Sequence, residues 1–411
     1  MSDPHASHPT LWPLRFISVE AASGIVLLAA AALAFAWANS PWAGSYRALW
    51  QLQPGFGVAR FLPAYDLQFW VNDGLMTIFF LVVGLEIRRE LHDGALADAK
   101  VAALPMIAAM GGVVVPALLY LLVASEPATR RGWAIPTATD IAFAVGVLSL
   151  IGRVPLAVRM LLLTLAMIDD VAAILIIAFY YSSGIAISGL LILAAAVLLI
   201  LLLQYFSVQP ALAYVLPGAL AWFGMLRAGL HPTLTGVVLG LLTPATVVFG
   251  RRRAVAADGR EAPVVRVQGV LHPWVAFGIM PLFALANAGV SLQGLLLSAA
   301  APRAISAGVV LGLVCGKPLG IVLAAFAAVR LGLAALPEGV RWPHMLLMGV
   351  LGGIGFTMAI FTASLAFDDP GLLAAAKFAV LAGSGLAAAL GFILGRLQPV
   401  PAAAKAASAP P

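Results

Sequence analysis

The chain has 411 residues, of which 63% are hydrophobic and only 10% are charged, and its formal net charge is +6. Soluble domains carry about 25% charged residues, so this composition excludes a water-soluble protein and indicates a bilayer crossed by helices of about 20 residues. The single cysteine, Cys315, excludes an intramolecular disulfide and a thiolate metal cluster.

Twelve apolar segments predict twelve transmembrane helices in one all-α domain, residues 1–396, followed by a disordered cytoplasmic tail, 397–411. Most Lys and Arg residues of the connections fall on the side of both termini, which places the termini in the cytoplasm and explains the basic charge without a nucleic acid. The predicted helices are 17–38, 67–87, 101–123, 133–151, 155–180, 185–205, 211–225, 229–243, 270–290, 304–329, 343–367 and 372–394.

Residues 41–66 interrupt the apolar pattern after the first predicted helix. Two alternating runs flank Pro54 and Gly55, which is typical of a β-hairpin, and an irregular loop fits the same pattern. In the second predicted helix, Asp73 and Glu86 are about 20 Å apart along the axis. These two carboxylates are therefore expected near opposite faces of the membrane.

The fourth and eleventh predicted helices contain residues that interrupt helices. Pro136 removes a backbone donor, and the side chains of Thr137, Thr139 and Asp140 can bond the freed backbone groups. Glycines at 352, 353 and 355 form a second candidate break. Breaks at matching positions of two halves indicate inverted repeats, about 101–180 and 304–394, around a transport site at the midplane.

Charged residues in the middle of other predicted helices need a functional reason, because an ionised side chain there costs roughly 2.5–3.5 kcal/mol. Asp169 and Asp170 are adjacent in the fifth helix, and Lys317 lies in the tenth. Successive helical residues point about 100° apart, so the two carboxylates have different partners. A solvated helix end is the alternative, but the apolar run continues beyond Asp170.

Together with Asp140, these residues form a site of three carboxylates and one ammonium. Asp140 and Lys317 can compensate the dipole ends of the broken helices. A low-dielectric site tolerates the remaining negative charge poorly, so the site is expected to bind either protons or a small cation. Competition of the two for the same oxygens, with alternating access, produces exchange.

Seven motifs follow one another between residues 84 and 358, and the similarity to which they belong extends over roughly residues 12–396. They are Gly-Leu-Glu-Ile-Arg-Arg-Glu-Leu (84–91), Gly-Trp-Ala-Ile-Pro-Thr-Ala-Thr-Asp-Ile-Ala-Phe-Ala (132–144), Ile-Asp-Asp (168–170), Leu-His-Pro-Trp-Val (271–275), Pro-Leu-Phe-Ala-Leu-Ala-Asn-Ala-Gly-Val (281–290), Gly-Lys-Pro-Leu-Gly-Ile (316–321) and Gly-Ile-Gly-Phe-Thr-Met (353–358). In this order they closely resemble the bacterial NhaA-type Na⁺/H⁺ antiporters.

The resemblance implies a fold in which the unwound fourth and eleventh helices cross. It also implies electrogenic exchange of cytoplasmic Na⁺ or Li⁺ for external H⁺ across the inner membrane, activation at alkaline pH, and a homodimer formed through the external hairpin. We expect no cofactor and no enzymatic activity.

The resemblance also assigns roles to the buried residues. Asp170 is implied to be the main Na⁺ ligand, and Asp169 is implied to help bind the ion and to form a salt bridge with Lys317. Thr139 and Asp140 are implied to support the crossing of the broken helices. From their residue type alone, Lys317 and Asp140 each have a purely structural alternative.

A cytoplasmic funnel tied to the pH response is implied for Glu86, Arg89 and Glu90. His231 and His272 are further pH-response candidates because imidazole titrates near neutral pH. For His231 a hydrogen-bonded structural role is the more common one.

The chain departs from the family pattern at the cytoplasmic mouth, where Gln268 and Gly269 replace a Glu-His pair, and after His231, where Pro232 replaces Ala. The pH dependence is therefore expected to differ.

Two other classes of function stay open. An intramembrane aspartyl protease needs two convergent carboxylates, and a cation channel typically has rings of polar residues and no buried lysine.

Overall fold

The computed structural model describes residues 12–54, 64–94, 96, 98–152, 154–182, 186–208, 210–245, 248–249, 252–253, 262–294 and 299–398, with the backbone alone for 12–21, 93, 99, 248–249 and 252–253. The predicted disordered tail lies outside these ranges beyond residue 398. The α-helices are α1 Trp12–Ala38, α2 Ala43–Trp50, α3 Leu67–Phe69, α4 Met76–Asp93, α5 Ala99–Val123, α6 Pro127–Arg130, α7 Ile141–Ile151, α8 Leu156–Tyr180, α9 Ile187–Tyr205, α10 Val215–Ala228, α11 Leu234–Leu242, α12 Pro263–Trp274, α13 Met280–Asn287, α14 Ala300–Leu311, α15 Lys317–Arg330, α16 Trp342–Gly352, α17 Phe356–Ala366 and α18 Pro370–Leu397.

Many of these helices are long enough to cross a bilayer, which makes the protein a multi-pass helical membrane protein. Among the described residues, eight helical stretches qualify by length and hydropathy, and three bent helix pairs raise the number to 11. The eight are Leu67–His92, Lys100–Val123, Leu156–Tyr180, Ile187–Tyr205, Ala211–Ala228, Pro263–Asn287, Ala300–Arg330 and Pro370–Leu397.

The predicted helix 229–243 is shorter in the structure. Gly229 adopts a left-handed conformation (φ +79°) that ends α10, and α11 then has only nine residues. Nine residues span about 14 Å, which is half of the roughly 30 Å hydrocarbon core. By itself, α11 does not cross a membrane.

The distribution of polar and apolar side chains matches a lipid environment. Large apolar side chains face outward, with Leu122, Phe179 and Leu212 each more than three-quarters exposed. Several charged side chains lie inside, among them Asp169 and Lys317, which are both fully buried. A soluble protein has the opposite arrangement, so hydrocarbon is the solvent of the outer surface.

The predicted strand in the first part of 41–66 is wrong, because Ala43–Trp50 is the helix α2. The alternating run also has helical spacing, which places Tyr46 and Trp50 four residues apart on one buried face. The Tyr46 hydroxyl donates to the carbonyl oxygen of Leu285 at 2.8 Å, so tertiary contacts select the helix. Residues 55–63 lie outside the described ranges.

Two short strands occur elsewhere in the described chain, as an antiparallel pair. They are β1, Val248–Phe249, and β2, Arg252–Arg253, with Val248 opposite Arg253 and Phe249 opposite Arg252.

Proline and glycine determine where α15 lies. Pro318 cannot donate a backbone hydrogen bond, and the turn before it, Gly312–Gly316, is π-helical. The helix then packs against α5. At the contact, a Cβ atom on Gly111 would lie 2.2 Å from the Gly320 carbonyl oxygen, so a residue with a side chain does not fit. This close approach holds Lys317, the first residue of α15, inside the protein.

Candidate functional site

The two broken helices contact each other at their breaks. The first bends by 47° between Pro127–Thr137 and α7, and the second bends by 45° between α16 and α17. The backbone N–H of Asp140 donates to the carbonyl oxygen of Ile354 at 2.7 Å. Each break thus supplies a partner for a backbone group that a continuous helix would have satisfied internally.

Asp140 caps two helices at once. Its Oδ1 accepts from the backbone N–H of Phe143 at 3.0 Å, at the start of α7. Its Oδ2 accepts from the backbone N–H of Thr357 at 3.1 Å and from the Thr357 hydroxyl at 2.5 Å, at the start of α17. Helix N-termini carry a partial positive charge that a carboxylate stabilises. The location of Asp140 fits the predicted compensation of a dipole end.

We expect Thr357→Val to lower the thermal stability of the purified protein. Valine keeps the shape of threonine but leaves Asp140 without its hydroxyl donor, and loss of a hydrogen bond to a charged group costs about 1.5–3 kcal/mol. Thr362→Val is the matched control, because within the described residues the Thr362 hydroxyl bonds only to the neutral Met358 carbonyl oxygen, at 2.9 Å within its own helix. Equal melting temperatures of the two variants would contradict this expectation.

Asp169 is held by two other elements. Its Oδ2 lies 2.5 Å from Lys317 Nζ in an ion pair that excludes solvent completely. The same oxygen lies 2.7 Å from the Thr139 hydroxyl, which also lies 2.8 Å from the Gly352 carbonyl oxygen. The hydroxyl has one proton to share between these two acceptors. Within the described chain, the hydrogen bond of Lys317 goes to Asp169 and not to a carbonyl group of either break.

Asp170 faces a different environment. It is 2% exposed and lines a cavity of about 60 Å³ together with Thr139, Asp140, Thr357 and Glu86. Within the described residues, no hydrogen-bond donor reaches its Oδ1. The neighbouring carboxylates therefore diverge as helix geometry predicts, one into an ion pair and the other into a cavity.

The chemistry of this cavity suits a small hard cation or a proton. Carboxylate and hydroxyl oxygens are the ligands that hard cations prefer, and the volume accommodates an ion with a few waters. Among the described residues no three His, Cys, Asp or Glu side chains lie close enough to hold a metal ion together. An ion at Asp170 would need hydroxyl, carbonyl or water oxygens as its other ligands.

Glu86, which lines the cavity, also belongs to the predicted pH-responsive funnel. Gln268 is 3% exposed, and its amide nitrogen donates to Glu86 Oε1 at 3.2 Å while its amide oxygen accepts from Arg89 at 3.1 Å. Arg89 also pairs with Glu90 at 3.4 Å. A neutral amide thus joins the Glu86 carboxylate to the Arg89 guanidinium.

The two histidine candidates occupy different places. His272 lines the cavity of Asp170. His231 lies between α10 and α11, outside the candidate spans, with Nε2 3.1 Å from the Tyr181 carbonyl oxygen. Burial lowers the pKa of the His231 imidazole below its ordinary 6.5, and the hydrogen bond to Tyr181 opposes this shift.

Because its pKa lies below 6.5, His231 is neutral throughout the alkaline range and gains charge only as the pH falls. His231→Gln, which keeps a donor toward Tyr181, is therefore expected to leave the pH profile of ion transport unchanged between about pH 7 and pH 9. The profile would be measured by proton flux in vesicles. A shifted alkaline limb in this variant would show that His231 senses pH.

Comparison with known proteins gives the family. The Na⁺/H⁺ antiporter 1 family matches residues 14–394. The chain belongs to the Na⁺/H⁺ antiporter 1 family. The family predicted from the seven motifs is thereby confirmed.

Individual members of this antiporter family are similar over nearly their whole length. The Na(+)/H(+) antiporter NhaA of an Acidovorax species is 56% identical over 95% of this chain and 93% of its own. Proteins named Na(+)/H(+) antiporter NhaA 2 from Pseudomonas putida and Sorangium cellulosum are each 52% identical, over 93% and 95% of this chain and 92% and 90% of their own. All three are named as antiporters rather than enzymes, in agreement with the prediction.

Sequence reasoning missed two features of this member of the antiporter family. Thr357 belongs to the motif at 353–358, but its contact with Asp140, 217 positions away, depends on the tertiary structure. Lys377 received no role, although an amine in the middle of an apolar helix is itself a signal. In the structure Lys377 is 8% exposed and donates to Asn287 Oδ1 at 3.1 Å.

Proposed function

We propose that this protein is an electrogenic Na⁺(Li⁺)/H⁺ antiporter of the bacterial inner membrane that exports cytoplasmic sodium in exchange for external protons. The observation that carries the proposal is the divergence of Asp169 and Asp170. Asp169 is neutralised by Lys317, whereas Asp170 faces a small, mostly apolar cavity whose few polar lining residues include Thr139 and Thr357 from the two helix breaks. Family membership and the names of the relatives support the same function.

Exchange follows from competition at Asp170. An ionised carboxylate in a low-dielectric cavity is costly unless a cation or a proton neutralises it. The oxygens that would bind Na⁺ are the same ones that bind H⁺, so each ion displaces the other. Asp169 assists as the ion-pair partner of Lys317, and Thr139 and Asp140 fix the geometry of the breaks around the cavity.

Alternating access requires the cavity to open to each side of the membrane in turn. The proposed moving unit is the pair of inverted repeats, about 101–180 and 304–394, whose interrupted helices cross at the site within a twelve-span domain. The packing of α5 against α15 and of the two breaks against each other supports this arrangement. Both termini would lie in the cytoplasm, and segment 41–66 would form the contact of a homodimer.

The proposed pH control lies at the mouth of the cavity. Glu86, Arg89 and Glu90 form a charged cluster with Gln268, and His272 adjoins the same cavity. Because Gln268 does not titrate, one proton-binding group of the family pattern is absent. The alkaline activation implied by the resemblance is therefore expected with fewer titrating groups.

The test is ion-driven proton movement in inside-out vesicles that contain the protein. Addition of Na⁺ or Li⁺ should dequench a pH dye trapped by the proton gradient, whereas K⁺ at the same concentration should not. If the exchange is electrogenic, an imposed membrane potential should change its rate. Equal responses to all three cations, or none above vesicles without the protein, would refute the proposal.

The same vesicles test the other classes of function. A protease needs both carboxylates at one peptide carbonyl, whereas Lys317 occupies Asp169 and the two side chains diverge. Cleavage of a membrane-embedded peptide without ion exchange would favour that alternative. A channel would show cation flux that does not depend on protons.

A further inference from the structure

A second buried amine lies away from the ion site. Lys377, on α18, is 8% exposed. Within the described residues it pairs with no carboxylate, and its one hydrogen bond goes to Asn287 Oδ1 at 3.1 Å. An ionisable side chain inside a membrane protein is costly and is a functional candidate by default. The proposed exchange at Asp170 does not use it.

The acceptor of Lys377 joins three separate helices. Asn287 ends α13, and its Oδ1 also lies within 3.4 Å of Asn72 Nδ2 and 3.3 Å of Gln68 Nε2. In return, Asn287 Nδ2 donates to Asn72 Oδ1 at 2.7 Å and to the carbonyl oxygen of Phe283 at 3.0 Å. We call Lys377, Asn287, Asn72 and Gln68 the amide cluster.

The amide cluster lies beyond the ion cavity on the side opposite Glu86 and His272. Along the helical stretch Leu67–His92, Asn72 precedes Glu86 by fourteen residues, about 21 Å of helix. Along the helical stretch Pro263–Asn287, Asn287 follows Met280, which lines the cavity, by about 10 Å. Both helices thus run from the cavity mouth, past the ion site, to the amide cluster.

Aromatic side chains fill the space between the cluster and the cavity. Phe283 lies one turn before Asn287, and its ring centroid is 6.3 Å from that of Phe361 on α17. Phe361 in turn lies 5.5 Å from Phe80 on α4. All three are 2% exposed or less. The same turn of α13 therefore carries both a dense aromatic layer and the acceptor of Lys377.

The amide cluster also connects parts of the chain that alternating access would separate. Lys377 lies in the second proposed repeat, whereas Asn72, Gln68 and Asn287 lie outside both repeats. Transporters of this architecture expose the site by moving a repeat bundle against the remaining helices. A contact across that boundary must break when the far side opens.

We propose that the Lys377–Asn287 contact is an external latch, which holds the side of the protein opposite Glu86 closed while the cavity opens toward Glu86. The proposal rests on the alternating access proposed above. Hydrogen bonds to a charged group are among the stronger ones, so removal of the latch shifts the equilibrium toward the outward-open state about tenfold.

The test measures access to the cavity from each side. Cys315→Ser removes the single cysteine, and Val83→Cys then places one thiol in the cavity wall. A membrane-impermeant maleimide is added to right-side-out vesicles and, separately, to inside-out vesicles. Adding Lys377→Met should raise the labelling rate from the outside about tenfold and lower the rate from the inside.

Two further variants complete the test. Asn287→Asp keeps the shape of the residue and gives Lys377 an ion-pair partner. The variant loses the two bonds donated by Asn287 Nδ2, but the charge-assisted bond to Lys377 is the stronger one, so outside labelling should become slower than in the parent. Lys100→Met makes the same substitution at an exposed lysine and should leave both rates unchanged. Outside rates equal to the parent in both Lys377→Met and Asn287→Asp would overturn the latch.

Each result is decisive. If Lys377→Met does not accumulate in the membrane, Asn287→Asp alone decides: slower outside labelling supports the latch and an unchanged rate refutes it. Sodium-driven proton flux in the same parent vesicles tests the proposed function separately. Flux without any change in labelling would reject the latch and retain the antiporter.

Discussion

Asp170→Asn should abolish sodium-driven proton exchange, with the initial rate falling about 100-fold or more. Asparagine fills the same volume but carries no charge, so it can neither hold a transported proton nor neutralise Na⁺ in the cavity. Loss of a charged interaction worth about 3 kcal/mol corresponds to roughly two orders of magnitude in binding. The measurement is dye dequenching on Na⁺ addition to inside-out vesicles, normalised to the amount of protein.

Asp369→Asn is the matched control for this experiment. Asp369 is the N-cap of α18, where its side chain accepts from the backbone N–H of Leu372, and asparagine caps helices equally well. This variant should exchange ions at the wild-type rate. An Asp170→Asn protein that retains wild-type exchange would show that the ion is bound elsewhere.

Lys317→Met should destabilise the protein strongly, because it leaves Asp169 charged, buried and without its ion-pair partner. Removal of one member of a buried ion pair costs about 3–5 kcal/mol. Addition of Asp169→Asn to the same protein removes the uncompensated charge and should restore part of this loss. Thermal unfolding in detergent of the wild type, the two single variants and the double variant gives the coupling energy.

The exposed Lys100 provides the control, since Lys100→Met should leave the melting temperature unchanged. A Lys317→Met protein as stable as the wild type would show that Asp169 does not depend on the ammonium. A double variant less stable than Lys317→Met would contradict the charge argument. In both cases the role of the pair would have to be sought in transport alone.

Much of the site could be predicted because charge in an apolar helix is conspicuous. Asp169, Asp170 and Lys317 stand out from their neighbours, and the proline and glycine breaks mark the two interrupted helices. Helix geometry also predicted that the adjacent carboxylates diverge, as the structure has them. The family followed from seven motifs spread between residues 84 and 358.

Contacts between distant segments could not be predicted in this way. The bond between Thr357 and Asp140, and that between Lys377 and Asn287, depend on the packing of helices far apart in sequence. The helix at Ala43–Trp50 was mistaken for a strand because alternation over a few residues is compatible with both periods. Tertiary contacts of Tyr46 decide between them.

The shared capping at Asp140 has a mechanical consequence. One carboxylate bonds the first turns of both α7 and α17, and a backbone bond from Asp140 to Ile354 joins the same two breaks. If either interrupted helix shifted alone, buried polar groups of the other would lose their hydrogen-bond partners. The contact between the two breaks is thus rigid, and under the proposed function an ion bound beside it would keep the same ligand spacing while the access of the cavity changes.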